Sequence, residues 1–599
     1  MNRSLRRLVR LSRSRYALSV KQFNKNPTLT LLCAASLTFC ALIALWNFQK
    51  MGLSHWDEYY YIETGVWNIN PSYGFFQAYE PPLFPLLLSI SFSVFGIQDY
   101  VAILVSEIAA ISLCVVTFWW TRREYDTSTA IMSVLLLAST SIFISYAKMA
   151  LTDMTYTLFF SSALFMYHYA VKNRTNSTFL IAGVLLAFTI GTKYTGFQPF
   201  LIMLIFLPIS RLSIFRRDVS FKKAGTYLVE ILNDLARLWW SLAPVLVFLF
   251  LLLLYLAMPF PLIAGHSTLG GSLIQNLTQG LLYLTTAIYP LKAGEFSPQL
   301  FVNISFYGDV VGEFIGLLVI LLATIGAAIG VVRRQSTTAL LSIWVLCIFV
   351  FFASFPGTWP RVILPIIVPL SILAGKGALA CANTFERLFR ASRNRKLGKI
   401  RLRSLIRVSF LILLVVVHFY SSLPAITNSH SAYRAAAEFI TNNLPNRLVF
   451  YQTQPILLTY LENFRAQSLM VDGIPLLNQS YAVVLDFIAE ASPDYPLIQA
   501  RISQMTLALR ISNDVGMINM LDSTPFDALR QYDPDRMSIR IYIQTSTLLA
   551  SQPAQTYPLA QTSSDPVQFQ ISATPVVTYG SGYNAVRPLV RIQRTLDLP

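Results

Sequence analysis

Long apolar blocks alternate along the chain with short polar stretches, many of them basic. Several blocks approach the ~20 residues that carry a helix across a bilayer. Backbone amides in hydrocarbon need partners within their own segment, so these blocks are predicted to be helices. With the basic N-terminus inside, the first spans fall at about 27–48, 99–121, 128–147, 154–171, 178–192 and 196–210. A seventh runs over about 238–259. An eighth ends at Arg333 and Arg334, and a ninth leads out to the turn Phe355–Arg361. A tenth returns to the basic stretch Arg387–Arg407, and an eleventh covers about 405–422. The apolar stretch 82–96 is short for a span and contains Pro85, so it is read as a re-entrant or interfacial helix. If it crossed, Arg122, Arg123 and every basic cluster up to Lys223 would move to the other side. Residues 49–98 and 260–308 are then expected as external loops.

The final 176 residues have another rhythm. RLVFY (447–451), SIRIYIQ (538–544), VQFQI (567–571) and LVRIQ (589–593) alternate or run apolar as strands do. AYRAAAEFITNNL (432–444) has helical spacing. The expected fold class is therefore a polytopic α-helical membrane protein of about eleven spans plus a small C-terminal mixed α/β domain. Three parts are expected: a basic cytoplasmic tail (1–26), a transmembrane domain (27–423) and an exoplasmic domain (424–599).

Composition agrees. Of 599 residues, 54% are hydrophobic and 13% charged, against about 25% charged in soluble domains. The net charge of +17 is a topology signal rather than a nucleic-acid footprint. Residues 1–26 hold eight basic residues and no acidic one. Residues 424–599 hold eleven Arg, no Lys and thirteen acidic residues. No basic face with aromatic platforms is visible. The five cysteines lie in or beside apolar blocks, so no disulfide framework is expected. The apolar stretch Pro27–Phe48 outruns a signal-peptide core of about 7–15 residues and is read as an uncleaved first span.

Charged groups near the membrane are costly and need a reason. Asp57 and Glu58, in HWDEYYYIETG, are candidates for a general base or metal ligand, or are solvated loop carboxylates. Asp153, in AKMALTDMTY, is a site residue or a helix cap. Glu80, before Pro81 and Pro82, is a site or metal residue or a complement to a helix dipole. Lys193, in GTKYTG beside Tyr194, and Arg361, in FPGTWPRVILP, hold an anionic donor or snorkel to headgroups. Glu107, His168 and His266 are weaker candidates. Glu107 faces the bundle interior, His168 reads as a packing residue, and His266 is a metal ligand or an inert loop residue.

In order along 57–375, these features match a known pattern. They are Asp57–Glu58, Pro81–Pro82–Leu83 with Phe95–Gly96, Leu151–Thr152–Asp153, Gly191–Thr192–Lys193, and Arg361 with Pro365 and Pro369. The chain resembles the membrane glycosyltransferases of the protein O-mannosyltransferase and lipid A aminoarabinose transferase type, with the GT-C architecture. The resemblance implies a catalytic first external loop with interfacial helices, a polyprenyl-phosphate sugar donor and inversion at the anomeric carbon. It also implies a site on the outer face, in a cell envelope such as the bacterial inner membrane. An Arg that many relatives carry shortly after the Phe-Gly step corresponds here to Ile103. His266 stands near the position of a metal-binding His.

The expected chemistry is transfer of a sugar to a glycolipid, glycan or protein hydroxyl. Asp57 is the expected base. Lys193, Tyr194 and Arg361 are expected to hold the donor phosphate. A divalent metal held by Asp153, Glu80 or His266 is an option. The alternative is a transporter or flippase of lipid-linked glycans. That reading favours charges at the midplane of two matching halves, a pattern the sequence does not have.

Overall fold

In a computed structural model the described residues are 27–71, 81–211, 224–257, 299–354, 359–388, 396–397 and 400–427. In the C-terminal part they are 431–443, 449–452, 455–460, 465–468, 482–486, 495–512, 538–544, 557–558 and 568–569. The expected segment LVRIQ (589–593) lies outside them.

Each expected span is helical. In chain order the helices are α1 (Pro27–Ala44), α2 (Trp56–Ile69), α3 (Leu83–Phe95), α4 (Asp99–Glu124), α5 (Thr127–Ala138) and α6 (Ser141–Ala147). They continue with α7 (Thr152–Asn173), α8 (Asn176–Thr192), α9 (Gln198–Arg211), α10 (Ala224–Ala257) and α11 (Gln299–Val310). A π-helical turn, Val311–Gly316, joins α11 to α12 (Leu317–Val332). Then follow α13 (Ser336–Ala353), a 3-10 segment (Pro360–Ile366) leading into α14 (Ile367–Leu388), and α15 (Leu402–Ser421).

Among the described residues five helical stretches are long and apolar enough to cross a membrane alone: 99–124, 229–255, 300–332, 336–353 and 360–387. Helices α5 and α6 qualify as one broken span, bent by 66°. The break has a local cause. Ser139 Oγ donates to the carbonyl of Leu135 at 2.6 Å and Thr140 Oγ1 to that of Leu137 at 2.8 Å. Such side-chain bonds compete with the helical ladder and bend it. Residues 299–308, expected in an external loop, instead begin α11, whose apolar side continues the eighth span outward.

Helix α3 has 13 residues, about 20 Å at 1.5 Å per residue. That is too short to cross ~30 Å of hydrocarbon. It packs on α2 instead: Ser89 Oγ donates to Gly65 O at 2.8 Å, while Ile90, Val94 and Phe95 are exposed. In the stretch expected as the first external loop, the described residues thus form a pair of helices, α2 and α3, packed on each other.

Helices α12 and α14 meet backbone to backbone. A Cβ on Gly326 would lie 1.9 Å from Leu373 O, and one on Gly377 1.9 Å from Leu322 O. Close approach through small residues is how helices associate where lipid removes the hydrophobic drive. The 28-residue stretch containing α14 is buried throughout its most apolar window, whereas α10 turns most of its surface outward, with Trp239, Trp240, Val247 and Phe250 exposed.

Beyond α15 lies the mixed domain. Helix α16 is Ala432–Asn443, and α17 is Tyr495–Ile502. Five strands, β1 (Val449–Gln452), β2 (Arg465–Ser468), β3 (Ala482–Leu485), β4 (Met505–Ser512) and β5 (Ser538–Gln544), form a sheet ordered β2-β1-β3-β5-β4. Strands β1, β2 and β3 run parallel, and β5 is antiparallel to β3 and β4. VQFQI shrinks to a two-residue strand, Gln568–Phe569, paired with Tyr557–Pro558. The helix at 432–444 and the strand at 538–544 stand where the pattern put them.

Candidate active site

Helix α2 begins with a capping box. His55 is the N-cap, its Nδ1 accepting the Asp57 N–H at 3.1 Å, and the Glu58 carboxylate returns to the His55 N–H at 2.6 Å. Two acidic residues in the first turn also complement the positive end of the helix.

The two neighbours have different surroundings. Glu58 is fully buried. Its Oε2 accepts from the amides of Ser54 and His55, both at 2.6 Å, and its Oε1 accepts from Ala150 N at 2.7 Å. Burial pushes its pKa up, and the three amide bonds offset only part of that. The third bond ties α2 to the segment between α6 and α7. Tyr61 and Thr152 meet across the same junction, with hydroxyl oxygens 3.4 Å apart.

Asp57, one residue earlier, is not wrapped by backbone. Its Oδ2 accepts from Arg361 NH1 at 2.5 Å. Burial raises its pKa, but the charge and hydrogen bond of Arg361, with smaller contributions from His55 and Lys193, outweigh it and hold the carboxyl below the usual carboxylate range. Arg361 reaches it from the start of the 3-10 segment, one residue after Pro360.

Asp153 stands in the first turn of α7, fully buried, with Oδ1 accepting from Lys193 Nζ at 2.7 Å. Its other oxygen, Oδ2, has no hydrogen-bond partner among the described residues. Lys193 leaves α8 in an extended conformation, its N–H bonded to Thr189 O at 3.1 Å. Its ammonium lies 5.8 Å from the Tyr156 ring centroid. Tyr194 is buried beside it in a 3-10 turn, Tyr194–Phe197. A Cβ on Gly196 would lie 2.4 Å from the backbone of Thr189, so this turn closes only with glycine.

Residues far apart in sequence, 57, 153, 193 and 361, therefore gather at one end of the bundle as two linked ion pairs. Lys193 acts electrostatically on Asp57 as well as on Asp153. The arrangement offers carboxylate oxygens to a proton and two cations to an anion.

Glu80 and His266 lie outside the described residues. No group of three or more His, Cys, Asp or Glu side chains able to hold a metal exists among the described residues. Of Asp153, Glu80 and His266, only Asp153 is described, and it already has Lys193 on one oxygen. Glu107 is fully buried in α4, with neither carboxylate oxygen bonded among the described residues. His168 packs edge-on to Trp120 at 5.6 Å, 4.0 Å from Glu124. Ile103 is fully buried.

Sequence reasoning missed Asp99, Arg434 and Tyr460. Asp99 Oδ2 accepts from Arg434 Nε at 3.1 Å, from its NH2, and from Tyr460 OH at 2.9 Å. An Asp at a predicted span start carries the ordinary signal of a helix start. Nothing local marks its partners more than 300 residues away.

Residues 79–240 match the family described as dolichyl-phosphate-mannose-protein mannosyltransferase. This supports the resemblance to GT-C glycosyltransferases of the mannosyltransferase and aminoarabinose transferase type. The matched stretch contains α3, Asp153 and Lys193. The fold is similar to the oligosaccharyltransferase of Archaeoglobus fulgidus in its apo form. That likeness has a TM-score of 0.50 at 14% identity, covering 80% of this chain and 73% of that one. ArnT from Cupriavidus metallidurans bound to undecaprenyl phosphate gives a TM-score of 0.46 at 16% identity, covering 87% of this chain and 99% of that one. No curated protein sequence matches the chain. The chain is a polytopic membrane protein of GT-C architecture, and the family it matches is one of glycosyltransferases.

Proposed function

We propose that the protein moves a sugar from a polyprenyl-phosphate donor to an acceptor hydroxyl on the outer face of the membrane, with inversion. The observation that carries this reading is the mouth cluster. A carboxylate held ionised by Arg361 sits beside a second cation, Lys193. The family match, to enzymes described by a dolichyl-phosphate-linked sugar, supports the donor class.

Asp57 takes the proton from the acceptor hydroxyl. The hydroxyl oxygen then forms a bond to the anomeric carbon as the bond from that carbon to the phosphate oxygen breaks. The lipid phosphate leaves with one more negative charge than it had in the diester. Arg361 and Lys193, with Tyr194 behind them, meet that charge in a site of low dielectric, where preorganised donors are most effective. In the resting cluster their charges are balanced by Asp57 and Asp153. Without cations between them, a carboxylate and a phosphate would repel, and the base would be protonated.

Asp153 holds Lys193 in place. Glu58 fixes the start of α2 through three amides and supports the base rather than acting as one. The described residues do not assemble a metal site, and no step is assigned to a metal. The C-terminal domain lies on the outer side, where the acceptor arrives. A bacterial inner membrane fits the charge distribution of the chain, with basic stretches inside and the Lys-free region outside.

Purified protein given a donor isotopically labelled in the sugar, with a hydroxyl acceptor, tests the reading. Labelled acceptor and free lipid phosphate are expected, and Asp57→Asn slows the appearance of both at least about a hundredfold. An intact donor moved across the bilayer identifies a flippase instead.

A further inference from the structure

The backbone just before α2 is held by the C-terminal domain. Arg434 NH1 donates to Gln49 O at 3.1 Å. Ser431 N donates to Met51 O at 2.7 Å, and Ser431 Oγ donates to Leu53 O. Leu53 N donates to Tyr460 OH at 2.8 Å, and that hydroxyl in turn donates to Asp99. The next two amides, of Ser54 and His55, go to Glu58. Residues 49–55 thus pass from the grip of one domain directly to the cap of the helix that carries Asp57.

Gly52 shows how close the grip is. Its φ of +69° favours glycine. A Cβ there would lie 3.3 Å from Ser431 Cβ and 3.4 Å from Tyr460 OH. The other side of the grip is anchored in the bundle, since Asp99 is the first residue of α4 and its Oδ1 also accepts the Tyr100 N–H at 2.7 Å. On the domain side, Tyr433 OH donates to Asp486 at 2.6 Å, fixing α16 against the end of β3. Asp99 is buried while Arg434 stays one-third exposed, and the three bonds converging on the buried carboxylate tie the groups they join to one arrangement.

We infer that Ser431, Arg434 and Tyr460, closed on Asp99, form a latch through which the C-terminal domain positions the Asp57 helix for the reaction. They are positioning residues and touch no reacting atom. The inference rests on the reading of Asp57 as the base. Docking of the domain and alignment of the base are then one event, and an acceptor that shifts the domain shifts the base with it.

The test uses the full-length purified protein carrying Tyr460→Phe or, separately, Arg434→Leu. Two quantities are read: amide hydrogen exchange in peptides spanning 51–64, and transfer kinetics with a polyprenyl-phosphate sugar. Exchange at 51–64 is expected to quicken at least tenfold while peptides from α14 keep wild-type rates. The kcat is expected to fall at least tenfold, with the donor KM within threefold of wild type. Arg434→Lys, which keeps the charge on Asp99, is expected to recover at least half of the lost rate. Unchanged exchange in both variants overturns the latch, and so does faster exchange with an intact kcat. Arg434→Leu leaves the Tyr460 bonds in place, so it decides the question if Tyr460→Phe does not fold. If the unaltered protein transfers no sugar, exchange still decides the latch and the transferase reading is what fails.

Discussion

The two ends of α7 carry ion pairs of opposite character. At its start, Asp153 is 0% exposed and Lys193 19% exposed, 2.7 Å apart. At its far end, nineteen residues on and so about 28 Å away, Lys172 is 57% exposed and bonds the buried carboxylate of Glu124, 3% exposed, at 3.1 Å. A pair whose cation stands in water is screened there and contributes about 0–1 kcal/mol. A buried pair costs desolvation that its attraction only partly returns, so it is a poor source of stability. The mouth has two such pairs side by side, and the far end has one whose cation lies in solvent. The difference teaches that the mouth is built to hold charge ready, while the far end is built to sit in water and headgroups.

Four changes would break or sharpen this contrast. The largest effect is expected from Asp57→Asn, an isosteric change that removes the base and the counter-charge of Arg361. Sugar transfer should fall about 10²–10⁴-fold, the usual contribution of a positioned base, with thermal unfolding within a few degrees of wild type. Next is Glu58→Ala, which strands the amides of Ser54, His55 and Ala150. Hydrogen bonds to charged groups contribute about 1.5–3 kcal/mol each way, so a loss of roughly 3 kcal/mol is expected in detergent unfolding.

A subtler change is Arg361→Met. Arg361 is the main influence keeping Asp57 ionised against burial. A base must be deprotonated to act, and its pKa sets the acid limb of the pH–rate profile. With Arg361 present that limb lies below the ordinary carboxylate range. Without it, burial dominates and the limb should move upward by about one to three pH units. A limb that stays in place separates Asp57 from the rate. The smallest effect is expected at the far end. Lys172→Met should alter unfolding by no more than about 1 kcal/mol and leave kcat unchanged.

Much of this was legible in the sequence, for a physical reason. A charged residue in a chain this apolar is conspicuous, because lipid makes it expensive. Asp57, Asp153, Lys193 and Arg361 stood out that way, and charge asymmetry put them on one face. The short stretch 82–96 announced itself by length and by Pro85. The roles of neighbours were not legible. Glu58 and Asp57 are adjacent and chemically alike, yet only the fold reveals that Glu58 reaches Ala150, 92 residues away. The latch was hidden for the same reason, since Asp99, Arg434 and Tyr460 are ordinary residues until folding joins them. The bend between α5 and α6 depends on whether Ser139 and Thr140 turn their hydroxyls back onto the helix, a local choice that apolar patterning does not encode. Sheet order in the C-terminal domain was equally out of reach, because parallel pairing of β1 with both β2 and β3 depends on crossovers rather than on any strand's own sequence.

The account depends most on the two mouth cations acting as a phosphate site. The direct measurement is equilibrium binding of polyprenyl phosphate to the purified protein and to its Lys193→Met, Arg361→Met double variant, with Lys172→Met as the control. The cluster predicts affinity at least tenfold weaker in the double variant and unchanged in the control. Equal affinity in all three proteins would contradict it.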